Sequence, residues 1–568
     1  MNDLSKISST DLGLERRLPL PFEGVDVNFC RNPQCSGLGL SPDPYKRPLG
    51  SPAAPPGAIR GVVAGSRHSE FFTCPTCSTN HRLKNNKAIF EEYNRLKDLQ
   101  QVDPIAPGCR NPECENLGKS LAAHPDQYRS FGKTAGGDPR HQCKCCKKTF
   151  SIGRATRRQK RSDKNPLLYR MMVNGVPFLK MCSIAQVSYH DIYRKIDFIY
   201  DQVRAFRAER EVFDDIDWMK VGSRFATDSQ SLKMNWPTKR ERTQIIVQHL
   251  CTAHARSGFI MEAALQFDDK ASHDKVEAEM ALVGDDLLSK CFREHGRLWS
   301  KTEFEDYISK LQKQKRIKEE ELYQLPHSGA LVRYDIMQFA HALRLRDMVG
   351  EAEGKFVFVT DGDAGLKAAF CAAMADLIKQ DRADIALVFF NKKMNNDLRN
   401  AAWSAGRSIL AGQTGLSVSQ INKLSDEDYA DLVDTEIAAS LVGHDLRMGF
   451  HWPYHTKSEP DRRIELLTDR PGRDYRATAR LLRLATLRSV DSYFNKFRSN
   501  LRFAARPQVS ETNARKAWDK YYLYKPEIMV KLTEIYRFHH NWVGYGSKET
   551  PAMKLGLARG RIYERDFL

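Results

Sequence analysis

KFVFVTDGDAGLKAAF, residues 355–370, is the stretch that decides the fold. Phe356–Thr360 is an unbroken run of aromatic and β-branched residues, the composition of a strand buried on both faces. It ends in Asp361-Gly362-Asp363. LKAAFCAAMADLI (366–378) then reads as a helix leading into a second apolar run, IALVFF (385–390). Strand, helix and strand in this order predict a parallel β-α-β unit. Upstream, RFATD (224–228), TQIIVQHLCTA (243–253) and GFIMEAALQFD (258–268) predict three more strands, the last two joined by a turn at Arg256-Ser257-Gly258. The expected fold class is α/β with a mixed sheet.

The acids fall where the strands are expected to end. Asp228 closes the first strand and Asp361 the fourth, so pairing of those strands brings both carboxylates to one edge of the sheet. Carboxylates so placed can hold two Mg²⁺ ions about 3.5–4 Å apart, with Mn²⁺ as the alternative, because hard cations prefer oxygen ligands. Taken singly, Asp361-Gly362 is also an ordinary turn dipeptide. The pairing with Asp228 carries the reading. Asp214, Asp215 and Asp217 read as a solvated helix end.

At 568 residues the chain is too long for one ordinary domain, and 41% hydrophobic with 28% charged residues is a globular composition. No run of about 18 apolar residues predicts a membrane span, and MNDLSKISSTDLGLERR lacks the apolar core of a secretory signal. No membrane partner is expected, and the cytoplasm is the expected location. The net charge of +18, from 89 Lys and Arg against 71 Asp and Glu, points to a polyanion such as nucleic acid. The charge is also local: between Arg140 and Lys164 stand ten Lys or Arg residues and one acid, Asp163.

Nine of the thirteen cysteines lie within residues 30–146, and their setting is duplicated. CRNPQCSGLG (30–39) and CRNPECENLG (109–118) are each followed by a second pair, Cys74 with Cys77 and Cys143 with Cys146. Two four-thiolate sets follow: Cys30, Cys35, Cys74 and Cys77, then Cys109, Cys114, Cys143 and Cys146. Each predicts a small ribbon folded around one structural Zn²⁺ with no open coordination position. Cys145 falls outside the Cys-x-x-Cys spacing and reads as a bystander. Residues 41–57 are Pro-rich and read as a loop inside the first ribbon.

A basic tether, SIGRATRRQKRSDK (151–164), precedes a helical stretch. Asn165 or Pro166 suits a helix start, Asn174-Gly175 a break, residues 177–185 a second helix, and Ser188 the cap of a third through Tyr200. Alone, three such helices are ordinary packing. Beside the ribbons and the tether they match a helix-turn-helix layout. Candidate DNA contacts are Arg154, Arg157, Arg158, Lys160 and Arg161 of the tether, with His190, Arg194 and Lys195 read as exposed on the third helix.

Four stretches together resemble the DDE transposase superfamily, particularly insertion-sequence and Mutator-like members with an N-terminal zinc ribbon. They are RHQCKCCKKTFSIGR (140–154), NPLLYRMMVNGVPFLKMCSIAQVSYHDIYRKID (165–197), FVFVTDGDAGLKAAF (356–370) and YRFHHNWVGYGSKETPAMKLGLARG (536–560). The resemblance implies an RNase H-like catalytic core that cleaves and joins DNA strands with two Mg²⁺ ions. It implies double-stranded DNA as partner, both element ends and target, a dimer or larger homo-oligomer on that DNA, and a nucleoid-associated protein. It also implies a third acid, usually glutamate, on a helix against the sheet. VDSYFNKFR (490–498) is the best match and offers Asp491 instead, with Glu465 and Asp474 as rivals. Two other readings stay open: a domesticated transposase acting as a sequence-specific DNA-binding regulator without catalysis, and an RNase H-like nuclease.

The expected division is a first ribbon domain at 1–100, a second ribbon with its basic tail at 101–160, a helix-turn-helix at 161–212, a core at 213–510 and a helical tail at 511–568. Helical inserts are expected in the core at about 270–335 and 391–475. Past Asp491, Lys496, Arg498, Arg502 and Arg506 lie near helical spacing, as a DNA groove or as a solvated basic face. Trp236, Trp403 and Trp452 read as core or loop anchors before base-stacking groups. His451, His455, His539 and His540 read as structural.

Overall fold

The computed structural model describes residues 17–45, 61–65, 70–100, 107–109, 111–117, 119, 121, 124–152, 155–235, 244–314, 323–505, 521–544, 546 and 548–568. Strands β1 (Val62–Ala64), β2 (Phe71–Thr73) and β3 (Asn80–Arg82) form a small antiparallel sheet leading into α1 (Asn86–Gln100). A second such sheet, β4 (Tyr128–Lys133), β5 (Pro139–Cys143) and β6 (Thr149–Ser151), repeats the arrangement. Helices α2 (Asn165–Val173), α3 (Phe178–Ala185) and α4 (Tyr189–Arg210) follow. Ser188 caps α4 through a reciprocal pair of bonds with Asp191, as its position suggested, and α4 runs on past the expected end at Tyr200. The single turn α5 (Trp218–Val221) leads into the main sheet.

That sheet contains β7 (Arg224–Asn235), β8 (Gln244–His254), β9 (Ile260–Leu265), β10 (Phe356–Asp361), β11 (Ala383–Phe389), β12 (Phe450–His451) and β13 (Arg463–Leu466). Its order is β12-β13-β11-β10-β7-β8-β9. The β7-β8-β9 run is antiparallel, whereas β10 lies parallel between β7 and β11. The aromatic run predicted to be buried supplies the middle strand: Phe356, Phe358, Val359 and Thr360 are all buried, with Phe358 stacked on Phe225. Between the strands lie α6 (His273–Val283), α7 (Lys301–Lys313), α8 (Tyr334–Val349), α9 (Ala364–Ala373) and α10 (Ala375–Lys379).

Two further details differ from the sequence reading. The first strand does not end at Asp228. Leu232 and Met234 continue its buried alternation against β8, so β7 reaches Asn235, and what stops near Asp228 is the pairing with β10. Residues 391–475 are not only helical. After α11 (Asn396–Thr414), α12 (Val418–Lys423) and α13 (Asp426–Ser440), the chain returns as β12 and β13 and pairs antiparallel with β11. Two helices, α14 (Tyr475–Leu484) and α15 (Arg488–Asn500), then pack near the sheet, α15 against β7 and β8.

The C-terminal helices are α16 (Pro526–Phe538) and α17 (Pro551–Leu555). One buried core runs through α1, α2, α4, the sheet and α16. The buried Arg537 of α16 donates to the carbonyls of Ile260 (3.1 Å) and Met261 (2.7 Å), and its charge is matched by Glu211 and Glu534. Buried guanidinium and carboxylate groups need this degree of pairing. Among the described residues no helix is long and apolar enough to cross a membrane.

Candidate metal centres

The duplicated cysteine pattern closes into two clusters. Cys30, Cys35, Cys74 and Cys77 bring their ligand atoms within 4.8 Å of one another, and so do Cys109, Cys114, Cys143 and Cys146. In the first, Sγ pairs lie 3.7 Å (Cys30–Cys77) and 3.8 Å (Cys35–Cys74) apart; in the second, 3.4 Å (Cys109–Cys146) and 3.8 Å (Cys114–Cys143). Sulfurs placed tetrahedrally at about 2.3 Å from a zinc ion are roughly 3.8 Å apart, so both sets can hold structural zinc. Backbone N–H groups of Gly37 and Asn116 point at Cys35 and Cys114, and the Asn116 amide at Cys143. Although burial opposes it, hydrogen bonds from Thr79 and Asn32 bring Cys77 down to about 6; bonds from Asn116 and local backbone do the same for Cys143. Burial pushes Cys30, Cys35 and Cys109 the other way, so each set has one thiol that ionises ahead of its neighbours. Cys145 is exposed and stands outside its cluster.

The first cluster is docked on the rest of the chain. Cys291 and Phe292 close its small core, Gln34 donates to the Leu467 carbonyl (2.8 Å), and the Arg31 guanidinium lies 5.6 Å from the Phe339 ring centre. The second has its own small core around Tyr128 and Phe150.

The carboxylates come together through strand register. Thr227 of β7 pairs with Thr360 of β10, so Asp228 and Asp361 are the next residues on neighbouring parallel strands. Asp491 projects from the first turn of α15, whose Arg498 donates to Gln230 of β7 (2.8 Å). Burial pushes Asp228 up to about 7, with the charges of Asp361 and Asp491 adding to the rise and Lys392 opposing it. Burial pushes Asp491 up to about 6, helped by Glu459 and Asp361 and opposed by Lys392 and Arg498. The three aspartates therefore share one field.

Lys392 sits in that field, just past β11, with Nζ 3.2 Å from Asp361 Oδ2. Burial alone would lower its pKa; Asp228, Asp361 and Asp491 outweigh burial and raise it. Asp228, Lys392, Asp491, Arg399 and Arg498 line a cavity of about 480 Å³. The aspartates are not drawn within 4.8 Å of one another as the thiolates are; an ammonium stands among them. All-oxygen donors around a resident cation fit hard divalent ions.

The rivals to Asp491 serve elsewhere. Glu465 pairs with Arg463 on β13 (2.8 Å), and Asp474 caps α14 by accepting from Arg476 and Ala477 N–H groups. Asp217 caps α5, in keeping with a helix-end reading. Sequence reasoning missed Lys392 and the buried Glu459, which pairs with Arg462 (3.2 Å) and accepts from Leu487 N–H. Lys392 had a signal: it stands two residues past the apolar run IALVFF, just beyond the end of a parallel strand.

The candidate DNA contacts divide. His190, Arg194, Lys160, Arg161, Lys496 and Arg502 are exposed. Lys195 is not: it is 4% exposed, and its Nζ donates to Asn165 Oδ1, Gln159 Oε1 and the Arg161 carbonyl, because its long stem lies along the inner side of α4. It ties the tether to the helices. Arg154, Trp236 and Arg506 lie outside the described residues, as do the side chains of Arg157 and Arg158. Trp452 is a core anchor, its Nε1 donating to the Tyr454 carbonyl, and Trp403 lies between Arg407 and Lys457. His539 and His540 are buried, bonded to Tyr169 and the Gly258 carbonyl.

No family model, curated protein or solved structure matches this chain. What the carboxylates and cysteines do has to be read from their geometry.

Proposed function

We propose that the chain is a DNA transposase of the DDE type, cleaving and joining strands on an RNase H-like core. The observation that carries this reading is the convergence of Asp228, Asp361 and Asp491 from two parallel strands and one helix into a single electrostatic unit. The sheet supports it: an antiparallel run of three strands whose first member pairs parallel with the fourth is what an RNase H-like core needs to bring those acids together.

Bound Mg²⁺ or Mn²⁺ would supply the Lewis acid for in-line displacement at phosphorus. Asp228, Asp361 and Asp491 would hold it, the first and last giving up protons that burial lets them keep near neutral pH. Lys392 and Arg498 are placed to neutralise the phosphodiester beside the acids. Two zinc ribbons and the α2–α4 helix-turn-helix, with exposed His190 and Arg194, supply the recognition of element ends. Two ends must be held together, which calls for at least a dimer on nucleoid DNA.

The test is purified protein with its element ends and Mg²⁺, beside Asp361→Ala. The reading expects nicking and joining by wild type and neither by the variant. Nicking without joining leaves a nuclease, and end binding without nicking leaves a regulator.

A further inference from the structure

At the opposite end of the parallel strands from the acids lies a cleft of about 1040 Å³. Arg224, the first residue of β7, forms part of its wall, with Arg256, Lys355, Arg473, Arg480 and Arg483 around it. An adjoining cleft of about 790 Å³ shares Arg224, Arg256 and Arg483.

The acids of this cleft are all committed. Asp381 pairs with Lys355 (2.9 Å) and Arg470 (3.4 Å), Asp384 pairs with Arg473 and Lys355, and Asp474 caps α14. Arg483 is held by both oxygens of Asp434, at 2.7 and 2.9 Å. Among the described residues this leaves Arg224, Arg256 and Arg480 with no carboxylate partner. Arg256 donates only to the Lys220 carbonyl (2.9 Å), and Arg224 Nε is buried with no hydrogen-bond partner. Burial, with Arg483 and Arg480 as its charged neighbours, brings Arg224 down to about 10. Guanidiniums gathered in this way are stabilised by an anion that takes forked hydrogen bonds, and phosphate is the anion that matches their planar geometry.

We propose that Arg224, Arg256 and Arg480 form a phosphate-binding site for a nucleic-acid backbone, separate from the carboxylate centre. Four residue steps along β7 separate Arg224 from Asp228, roughly 13 Å at about 3.3 Å per residue. The site positions a strand without reading sequence. It rests on the nucleic-acid reading but not on catalysis.

The test uses the full chain and a fluorescein-labelled duplex of arbitrary sequence, titrated over a salt series. Arg256→Gln/Arg480→Gln changes two exposed residues and is expected to weaken binding several-fold. The slope of log K against log salt should fall by about 1 to 2, since each lost phosphate contact contributes about 0.9. Lys275→Gln/Arg565→Gln removes the same charge from exposed positions elsewhere and is expected to bind like wild type. Equal losses in both variants, or none in the first, overturn the site. Inorganic tripolyphosphate separates the ligand sources. If it raises the melting temperature of wild type only, while both proteins bind duplex alike, the site takes a small polyphosphate and the backbone proposal fails. Arginine-dependent duplex binding without Mg²⁺-dependent nicking leaves this site standing and removes the transposase reading. Nicking with unchanged duplex binding in the arginine variant does the reverse.

Discussion

Lys392 Nζ lies 3.2 Å from Asp361 Oδ2, and its charge also reaches Asp228 and Asp491. One ammonium thus offsets three carboxylates whose charges act on one another. On the proposed reading, a divalent ion entering the site would compete with it for the same oxygens. Lys392→Met is therefore expected to tighten Mn²⁺ binding several-fold at pH 8, above the values of about 7 and about 6 that Asp228 and Asp491 have beside Lys392. The gain is on the order of 1 kcal/mol, as befits a partly exposed pair. Isothermal titration reads it directly; weaker Mn²⁺ binding by the variant would show that Lys392 organises the site instead.

The two cysteine clusters are expected to hold two zinc ions per chain by metal analysis, and loss of each should have a different cost. The first is locked to the core through Gln34, Arg31, Cys291 and Phe292, whereas the second is closed around Tyr128. Cys30→Ser is expected to release one zinc and lower the main thermal transition by several degrees. Cys109→Ser is expected to release one zinc with little effect on that transition. Equal shifts in both variants would contradict the docking argument.

The legible part of this chain was what short-range pattern encodes. The duplicated CRNP motif gave both cysteine sets, and the run at 356–360 gave the central strand, because each needs only local spacing. Asp228 and Asp361 were legible as a pair because both lie at one level of neighbouring strands. The end of β7 was not, since pairing with β8 rather than composition extends it to Asn235. The return of β12 and β13 was also hidden, because strands of only two and four residues carry almost no periodic signal. Lys195 shows the same limit. Its helix position was right, but which side of α4 faces inward depends on α2 and the tether.

Burial holds a group of histidines neutral. His249, His341 and His539 are lowered to about 3, and His254 and His540 to about 4, in each case chiefly by burial. Their folded values lie below the unfolded value of about 6.5, so between 6.5 and 4 the unfolded chain binds more protons. Their contribution to stability is intact above pH 6.5 and is lost as the pH falls through that window. Denaturant midpoints at pH 7 and pH 5 are expected to differ more for wild type than for His249→Gln/His341→Gln. Equal differences would mean that these histidines do not drive the acid sensitivity.

Gly175, between α2 and α3, couples this three-helix unit to the helix that carries Asp491. It has a φ of +62°, and a Cβ there would lie 2.2 Å from the Asn500 carbonyl oxygen at the end of α15. Both the left-handed backbone and the backbone oxygen resist a side chain, and neither can yield without moving α2 against α15. Gly175→Ala is expected to cost about 1–3 kcal/mol in urea unfolding. Gly412, inside α11, gives the opposite expectation, because a Cβ added there would meet nothing within 4 Å. Gly412→Ala should be neutral or stabilising by about 0.5–1 kcal/mol, since alanine is the better helix former. If Gly175→Ala unfolds at the wild-type midpoint while Gly412→Ala shifts upward, the α2–α3 turn does not press on α15 in solution. The helical unit would then be free to move relative to the carboxylate centre.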